Sequence, residues 1–300
     1  SSLADRRGEC IHAACPHWRK CFVEHTIRRA RTAELVVANH ALVMTQAAWG
    51  GLDDSTVPTR YVFDEGHHLF DAADSAFAAA LSGHETAELR RWLLGAEGGR
   101  SRARGLARRV EELVAKRPEL ETPLEAALQA ARALPAPGWS GRLGDTGMEL
   151  IDLDSGRPNP TEAFLRVVRH QVVARIEGAD GEGSRLATWG SAECDVLPAA
   201  PDLPPAAELL ARALGRIAEP LATLRDRLLA RLDAEAEDMD AATRNRIEAI
   251  GRSLTRRALN PLAAWQAMLR LLSAPPPDPG TLSPYVLFFR LEHRRRRAIA

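Results

Sequence analysis

Two adjacent carboxylates, Asp64 and Glu65, follow a short apolar run and are followed in turn by His67. The run, residues 61–63, favours a β-strand buried on both faces of a parallel sheet. Ligands of open α/β sheets bind at the carboxyl ends of the strands, so we expect Asp64 to hold the Mg²⁺ of a nucleotide there. Glu65 can orient or deprotonate an attacking water, and His67 can sense the site. A solvated acidic turn is the alternative interpretation.

Three of the four cysteines are crowded near the start of the sequence, at Cys10, Cys15 and Cys21. Such crowding indicates metal binding more than disulfide formation. The spacing is unusual for zinc, whereas iron–sulfur clusters accept more varied loops of thiolate ligands. Three thiolates are one short of a cluster, so the fourth ligand would lie before Ser1, or His12 or His17 would complete a zinc site instead. Cys194 is distant from the others, and we predict a free thiol.

Charge is uneven along the chain even though the formal net charge is zero. Residues 1–31 carry seven arginine or lysine residues against three carboxylates. A basic surface of this kind can contact phosphates, although a solvated charged face is the commoner explanation.

Composition predicts a mainly helical protein with a smaller sheet component. The chain has 300 residues, 45% of them hydrophobic and only 5% aromatic, and is rich in alanine, leucine and arginine. This length is sufficient for two domains. No apolar run approaches 18 residues and no signal peptide opens the sequence, so we expect a soluble, intracellular protein without a membrane span.

Periodicity places the helices and strands. Helices are predicted over residues 22–31, 41–49, 84–94, 102–116, 124–134 and 162–176, with a second buried strand over 34–40 and a late one over 285–291. Residues 186–196 are compatible with a strand pair or a loop. The clearest pattern repeats apolar residues at spacings of four and three, at Leu210, Leu214, Ile217, Leu221, Leu224, Leu228 and Leu232. A similar stripe over 247–272 completes a predicted antiparallel helical hairpin, with kinks expected at Pro220 and Pro261.

The order of these features resembles a known family. The three cysteines, the sequence Val-Val-Ala-Asn-His-Ala-Leu at 36–42 and the sequence Val-Phe-Asp-Glu-Gly-His-His-Leu at 62–69 resemble the DinG and XPD group of superfamily 2 DNA helicases. In that group a four-cysteine loop holds a [4Fe–4S] cluster within the first motor domain. An Asp-Glu-x-His box and a helical Arch domain follow. Gly66 replaces the more usual alanine of the box, a small-for-small change.

This resemblance implies a domain organisation. Residues 1–33 would form an incomplete cluster domain, 34–81 part of motor domain 1, 82–274 the inserted Arch domain, and 275–300 a return strand to the motor domain. The implied fold is mainly α with a small α/β portion: a partial parallel-sheet motor domain carrying a large helical insertion. The phosphate loop and the first cluster cysteine of the family would precede Cys10, so we expect a fragment that is inactive alone.

The resemblance also implies a function. The intact protein would be an ATP-dependent DNA helicase of the bacterial cytoplasm, associated with the nucleoid, monomeric, and translocating 5′ to 3′ in DNA repair or replication. Its cofactors would be a [4Fe–4S] cluster, Mg²⁺ and ATP, and its partner single-stranded or forked DNA. Expected nucleic-acid contacts are Trp18, Arg19, Lys20, Arg28 and Arg29. The alternative is a zinc-stabilised nucleic-acid- or protein-binding module without motor activity.

Overall fold

The computed structural model describes residues 15, 17–48, 60–97, 104–143, 159–180, 191–235, 237–275 and 285–292. By its internal contacts the chain divides into two compact units. Unit 1 comprises Ser1–Ala80 and Met239–Ala249, and unit 2 comprises Leu81–Asp238 and Ile250–Ala300. The described residues are mostly helical and contain one two-stranded sheet, which confirms the prediction of a mainly helical protein. The assignment of 82–274 to an Arch domain stays a prediction.

The first 80 residues contain three α-helices among the residues described. A short 3₁₀ helix, Trp18–Lys20, precedes α1 (Phe22–Thr32), α2 (His40–Ala48) and α3 (His68–Phe77). The predicted helices at 22–31 and 41–49 are confirmed to within one residue at each end. Helices α2 and α3 pack against each other and form the main contact of this part of the chain.

The two strands predicted at 34–40 and 61–63 differ from the structure. Neither segment forms a strand: residues 34 and 35 form a bend, residues 36–39 and 61–63 have no regular secondary structure, and His40 begins α2. Their apolar side chains are exposed rather than buried, with Val37 93% and Val62 98% accessible. A strand requires a partner that pairs with its N–H and C=O groups, and the described residues offer these segments none. β-favouring composition alone therefore does not make a strand here.

Local sequence sets the helix ends in the second half of the fold. Here α4 (Gly83–Leu94) begins with a capping box, in which the Ser82 hydroxyl accepts a bond of 3.1 Å from the Glu85 amide and donates one of 3.1 Å to its carboxylate. It ends at Gly95, whose φ of 90° favours glycine. The helices that follow are α5 (Leu106–Val114), α6 (Pro118–Ala130), a 3₁₀ turn (Ala131–Ala133), α7 (Trp139–Arg142) and α8 (Pro160–Asp180).

A long helix, α9 (Leu203–Ala234), is the centre of unit 2. One of its faces is fully buried and presents Leu203, Ala207, Leu210, Ala213, Leu214, Ile217, Leu221, Leu224 and Leu228. Helices α6, α8 and α11 (Asn260–Ser273) pack against it. Although α9 has 32 residues, neither it nor any other described helix is apolar over enough of its length to cross a membrane.

The predicted antiparallel hairpin is confirmed. After α9 the chain continues through α10 (Ala241–Leu254), a π-helical turn (Thr255–Leu259) and α11. Ser273 bonds to the Pro204 carbonyl oxygen at 3.4 Å and Gln266 to that of Ala211 at 3.4 Å, so α11 runs back along α9. Pro220 lies inside α9, and Pro261 lies at the start of α11, directly after the π-helical turn.

The sheet joins two segments far apart in sequence. Strand β1 (Ser191–Asp195) pairs antiparallel with β2 (Phe288–Glu292), with Ser191 opposite Glu292 and Asp195 opposite Phe288. Both strands pack against α8. The late strand predicted at 285–291 is therefore present in part, and its partner among the described residues is β1 rather than either segment of the expected motor sheet.

Buried polar groups fix the turn between α6 and α7. Arg90 donates to the carbonyl oxygens of Arg132 (2.9 Å) and Leu134 (2.8 Å) and pairs with Glu97 at 2.7 Å. The Asn159 amide donates to the same two carbonyls at 3.1 Å each. Because a buried carbonyl without a partner is costly, these side chains hold the turn to α4 and to the start of α8.

A second buried pair lies beside this turn. The Glu162 carboxylate, 2% exposed, accepts two bonds from the Arg142 guanidinium at 2.6 and 2.9 Å and one from the Ala136 amide at 3.0 Å. The pairing with Glu162 raises the pKa of Arg142, so the guanidinium stays charged through neutral pH. This bidentate geometry ties α7 to α8.

Neighbouring leucines of α9 provide a test of the core. Leu210 is fully buried, whereas Leu209 is 44% exposed. We expect Leu210→Ala to lower the free energy of unfolding by about 2–5 kcal/mol, because it removes buried methyl groups and leaves a cavity. Leu209→Ala should change it by no more than about 0.5 kcal/mol. Chemical denaturation of the two variants measures both values, and equal losses would contradict the assigned face of α9.

The Arg142–Glu162 pair provides a second test. Arg142→Ala leaves a buried carboxylate with a single amide donor, so we expect a loss of about 3–5 kcal/mol in unfolding free energy. The matched control is Arg212→Ala, which breaks an exposed pair with Glu208 on α9 and should cost at most about 1 kcal/mol. Denaturation curves that do not separate the two variants would show that the buried pair does not stabilise the fold.

Candidate nucleotide and nucleic-acid sites

The turn at residues 64–67 connects an extended segment to α3. The Asp64 carboxylate accepts a bond of 3.0 Å from the Glu65 amide, and the carbonyl of Glu65 accepts one of 3.0 Å from the amide of His68. Glu65 has a φ of 49°, in the left-handed region that non-glycine residues rarely adopt. Backbone strain of this kind is concentrated at functional sites, so the turn is the first candidate site of the chain.

Glu65 and His67 are brought together by this turn. The Glu65 Oε2 lies 3.3 Å from His67 Nδ1, and the two side chains are 69% and 67% exposed. An ion pair this open to water contributes little to stability, so the fold does not require it. A carboxylate next to an imidazole can instead orient a water molecule and pass a change in hydrogen bonding onward. Asp64, which is also exposed, adds a second carboxylate at the same turn.

Gly66 does not disturb the box. A methyl group added at this position would meet no atom within 4 Å, and the backbone there is not in the left-handed region. Alanine would therefore fit the same turn, which agrees with the interpretation of Gly66 as a small-for-small replacement.

The two extended segments end next to each other. The His40 ring stacks on Phe63 with 5.9 Å between centroids, and Phe63 stacks on Tyr61 at 6.2 Å. Asn39 caps α2, because its side-chain oxygen accepts a bond of 2.9 Å from the Leu42 amide. His40, which was predicted to end the first strand, thus lies next to Phe63, the last apolar residue of the second, even though no strand ladder joins the segments.

Cys15 and Cys21 lie on either side of one short turn. The carbonyl of Cys15 accepts a bond of 2.9 Å from the Trp18 amide, and the Cys21 amide donates to the Trp18 carbonyl at 3.3 Å. Both thiols are free and half-buried. Free thiols on a tight turn suit a thiolate-ligated metal group. Within the described ranges, however, no three His, Cys, Asp or Glu side chains come together as a metal site, and Cys10 lies outside those ranges.

The predicted nucleic-acid residues lie on the same turn and on α1. Arg28 stacks over the Trp18 ring, with its guanidinium carbon 4.4 Å from the ring centroid. Arg19, Lys20 and Arg29 are exposed around it. The sequence pattern predicted Trp18 and Arg28 as separate nucleic-acid contacts and did not predict that they stack, because Trp18 lies in the 3₁₀ helix and Arg28 in α1.

The remaining cysteine, Cys194, is confirmed as a free thiol on β1. Burial raises the pKa of this thiol, and the nearby Arg175 opposes the shift. A raised thiol pKa lowers the fraction of reactive thiolate, which is typical of a structural cysteine.

Comparison with known proteins identifies similar sequences over a limited part of the chain. Over 74 residues the chain is 38% identical to the ATP-dependent DNA helicase DinG of Shigella flexneri and 36% identical to that of Escherichia coli strain K12. Each match covers 25% of this chain and 10% of the helicase. The ATP-dependent DNA helicase YoaA of Escherichia coli strain K12 is 32% identical over 87 residues, or 27% of this chain and 13% of that protein.

The similarity to known proteins covers only part of each sequence. No family model and no solved structure matches the chain. The chain spans about a tenth of the length of the curated DinG helicases that it matches. It is similar to DinG-like ATP-dependent DNA helicases over about a quarter of its own length.

Proposed function

We propose that the chain is part of an ATP-dependent DNA helicase of the DinG kind, which moves 5′ to 3′ along single-stranded DNA and unwinds duplexes in DNA repair or replication. The sequence similarity to DinG and YoaA supports the class. The observation that carries the catalytic assignment is the turn at 64–67, with its left-handed Glu65 next to His67. A monomer in the bacterial cytoplasm, associated with the nucleoid and acting on single-stranded or forked DNA, belongs to the same proposal.

The nucleotide site uses three side chains of this turn. Asp64 would hold the Mg²⁺ that accompanies ATP, because an exposed carboxylate supplies the oxygen ligands that this ion prefers. Glu65 orients the attacking water and accepts its proton. His67, 3.3 Å from Glu65, exchanges this hydrogen bond as the γ-phosphate leaves and couples the site to a second motor domain. The exposure of all three side chains supports the proposal, because a nucleotide can reach them.

The cysteine turn contributes ligands to a [4Fe–4S] cluster. Cys10, Cys15 and Cys21 would provide three of its thiolate ligands. The cluster would cross-link the segment that carries these cysteines. The free thiols of Cys15 and Cys21 support this assignment.

DNA follows the basic surface of α1 and the preceding turn. Arg19, Lys20, Arg28 and Arg29 bind phosphates, and Trp18 contacts a base. Residues 82–274, which are mainly helical where the structure describes them, form the Arch domain.

Glu65→Gln in the full-length helicase tests the nucleotide site. The amide cannot accept a proton from water, so we expect the rate of ATP hydrolysis to fall about 100-fold or more while DNA binding is retained. Phosphate release and fluorescence anisotropy measure the two properties. The matched control is Glu34→Gln, an exposed glutamate outside the box. Hydrolysis close to the wild-type rate in the Glu65 variant would remove this turn from the nucleotide site.

Cys15→Ser in the full-length helicase tests the metal. We expect the variant to lose its iron and sulfide and its DNA-unwinding activity, because the serine hydroxyl is a poor cluster ligand in place of a thiolate. Cys194→Ser is the matched control and should retain both metal and activity. Elemental analysis provides the measurement. One zinc and no iron in the wild-type protein would contradict the cluster and favour the zinc-stabilised binding module.

A further inference from the structure

The contact between Arg28 and Trp18 joins a planar cation to the largest aromatic side chain. The guanidinium carbon lies 4.4 Å from the ring centroid, within the range of a cation–π interaction. Trp18 remains partly exposed, and Arg28 is exposed. The pair therefore lies at the surface, where a flat ligand can reach the part of the ring that Arg28 does not cover.

The exposed charged side chains around this pair are positively charged. Residues 17–32 contain five cationic side chains, and their single carboxylate, Glu24, is buried with 6% exposure. A second aromatic side chain, Phe22, is 89% exposed at the start of α1. Exposed aromatic rings among cations match single-stranded nucleic acid, whose bases stack on the rings while its phosphates meet the charges.

The turn that carries Trp18 is held at several points. Its backbone amide and carbonyl bond to Cys15 and Cys21, as described above. The His25 ring lies 2.7 Å from the carbonyl oxygen of Arg19, which fastens the turn to α1. Since Arg28 lies on α1 as well, these contacts hold the indole and the guanidinium in one orientation before a ligand arrives.

We propose that Trp18 and Arg28 together form a stacking site for one base of single-stranded DNA. The base lies against the exposed part of the indole, and the guanidinium, already stacked on the ring, donates its N–H groups to the adjacent phosphate. This inference rests on the proposed function. It adds to that function by assigning base contact to one residue pair of the DNA-binding surface.

Binding of two oligonucleotides by the chain tests this site. One is oligothymidylate of about ten nucleotides, within the span of such sites, and the other is an abasic deoxyribose-phosphate chain of equal length. We expect Trp18→Leu to weaken oligothymidylate about fivefold or more and to leave the abasic dissociation constant unchanged. Arg28→Lys, which keeps the charge and loses the planar stack, should show a smaller loss in the same direction. Arg212→Lys, at an exposed arginine of α9 outside this surface, is the matched control and should change neither constant.

Fluorescence anisotropy at fixed salt measures the constants, and circular dichroism checks the fold of each variant. If Trp18→Leu does not fold, Arg28→Lys decides the result by the same comparison. Equal binding of both oligonucleotides by the wild type, or equal losses for both in the variants, would overturn the stacking site while leaving DNA binding intact. No binding of either oligonucleotide would overturn this site and the DNA-binding part of the proposed function together.

Discussion

Unit 2 depends on the burial of one face of a single long helix. The nine fully buried or nearly fully buried side chains of α9 meet α6 on one side, α8 on another and α11 along the returning arm of the hairpin. The main contribution to stability here is apolar area removed from water, at roughly 25 cal/mol per Å². Polar contacts then fix backbone segments that apolar burial does not position. Arg90 and Asn159, for example, hold the turn at 131–134.

Helices were predictable from the sequence, and strand pairing was not. The spacing of Leu210, Leu214 and Ile217 repeats within one segment, so a local pattern suffices to identify α9 and its buried face. A strand needs a partner, and the partner can be distant in sequence: β1 pairs with β2 across roughly a hundred residues. The segment at 61–63 has the more β-favouring composition, yet it pairs with no strand among the described residues. Composition could not distinguish these two cases.

At the candidate sites, too, some features could be predicted from the sequence and others could not. Residue type and order were enough to propose Asp64, Glu65 and His67, because carboxylates and an imidazole after an apolar run can hold Mg²⁺ and orient water, while a solvated acidic turn stays the alternative. The left-handed backbone at Glu65 could not be predicted, since non-glycine residues seldom adopt it and the type of residue gives no signal. Nor could the bond from Ala136 to Glu162, which depends on how two helices meet.

The π-helical turn keeps the buried side chains before and after it on the same side of the helix. Leu254, Ala258 and Leu262 are all fully buried, yet their spacing of four and four would place Leu262 roughly 80° away from Leu254 around a regular α-helix. A π turn accommodates the surplus residue and returns the apolar stripe to α9. The number of residues in this turn therefore cannot change by even one without moving the buried face of α11. A single deletion would rotate α11 by about 100°, turning Trp265 outward, whereas insertions in exposed loops would leave the stripe aligned.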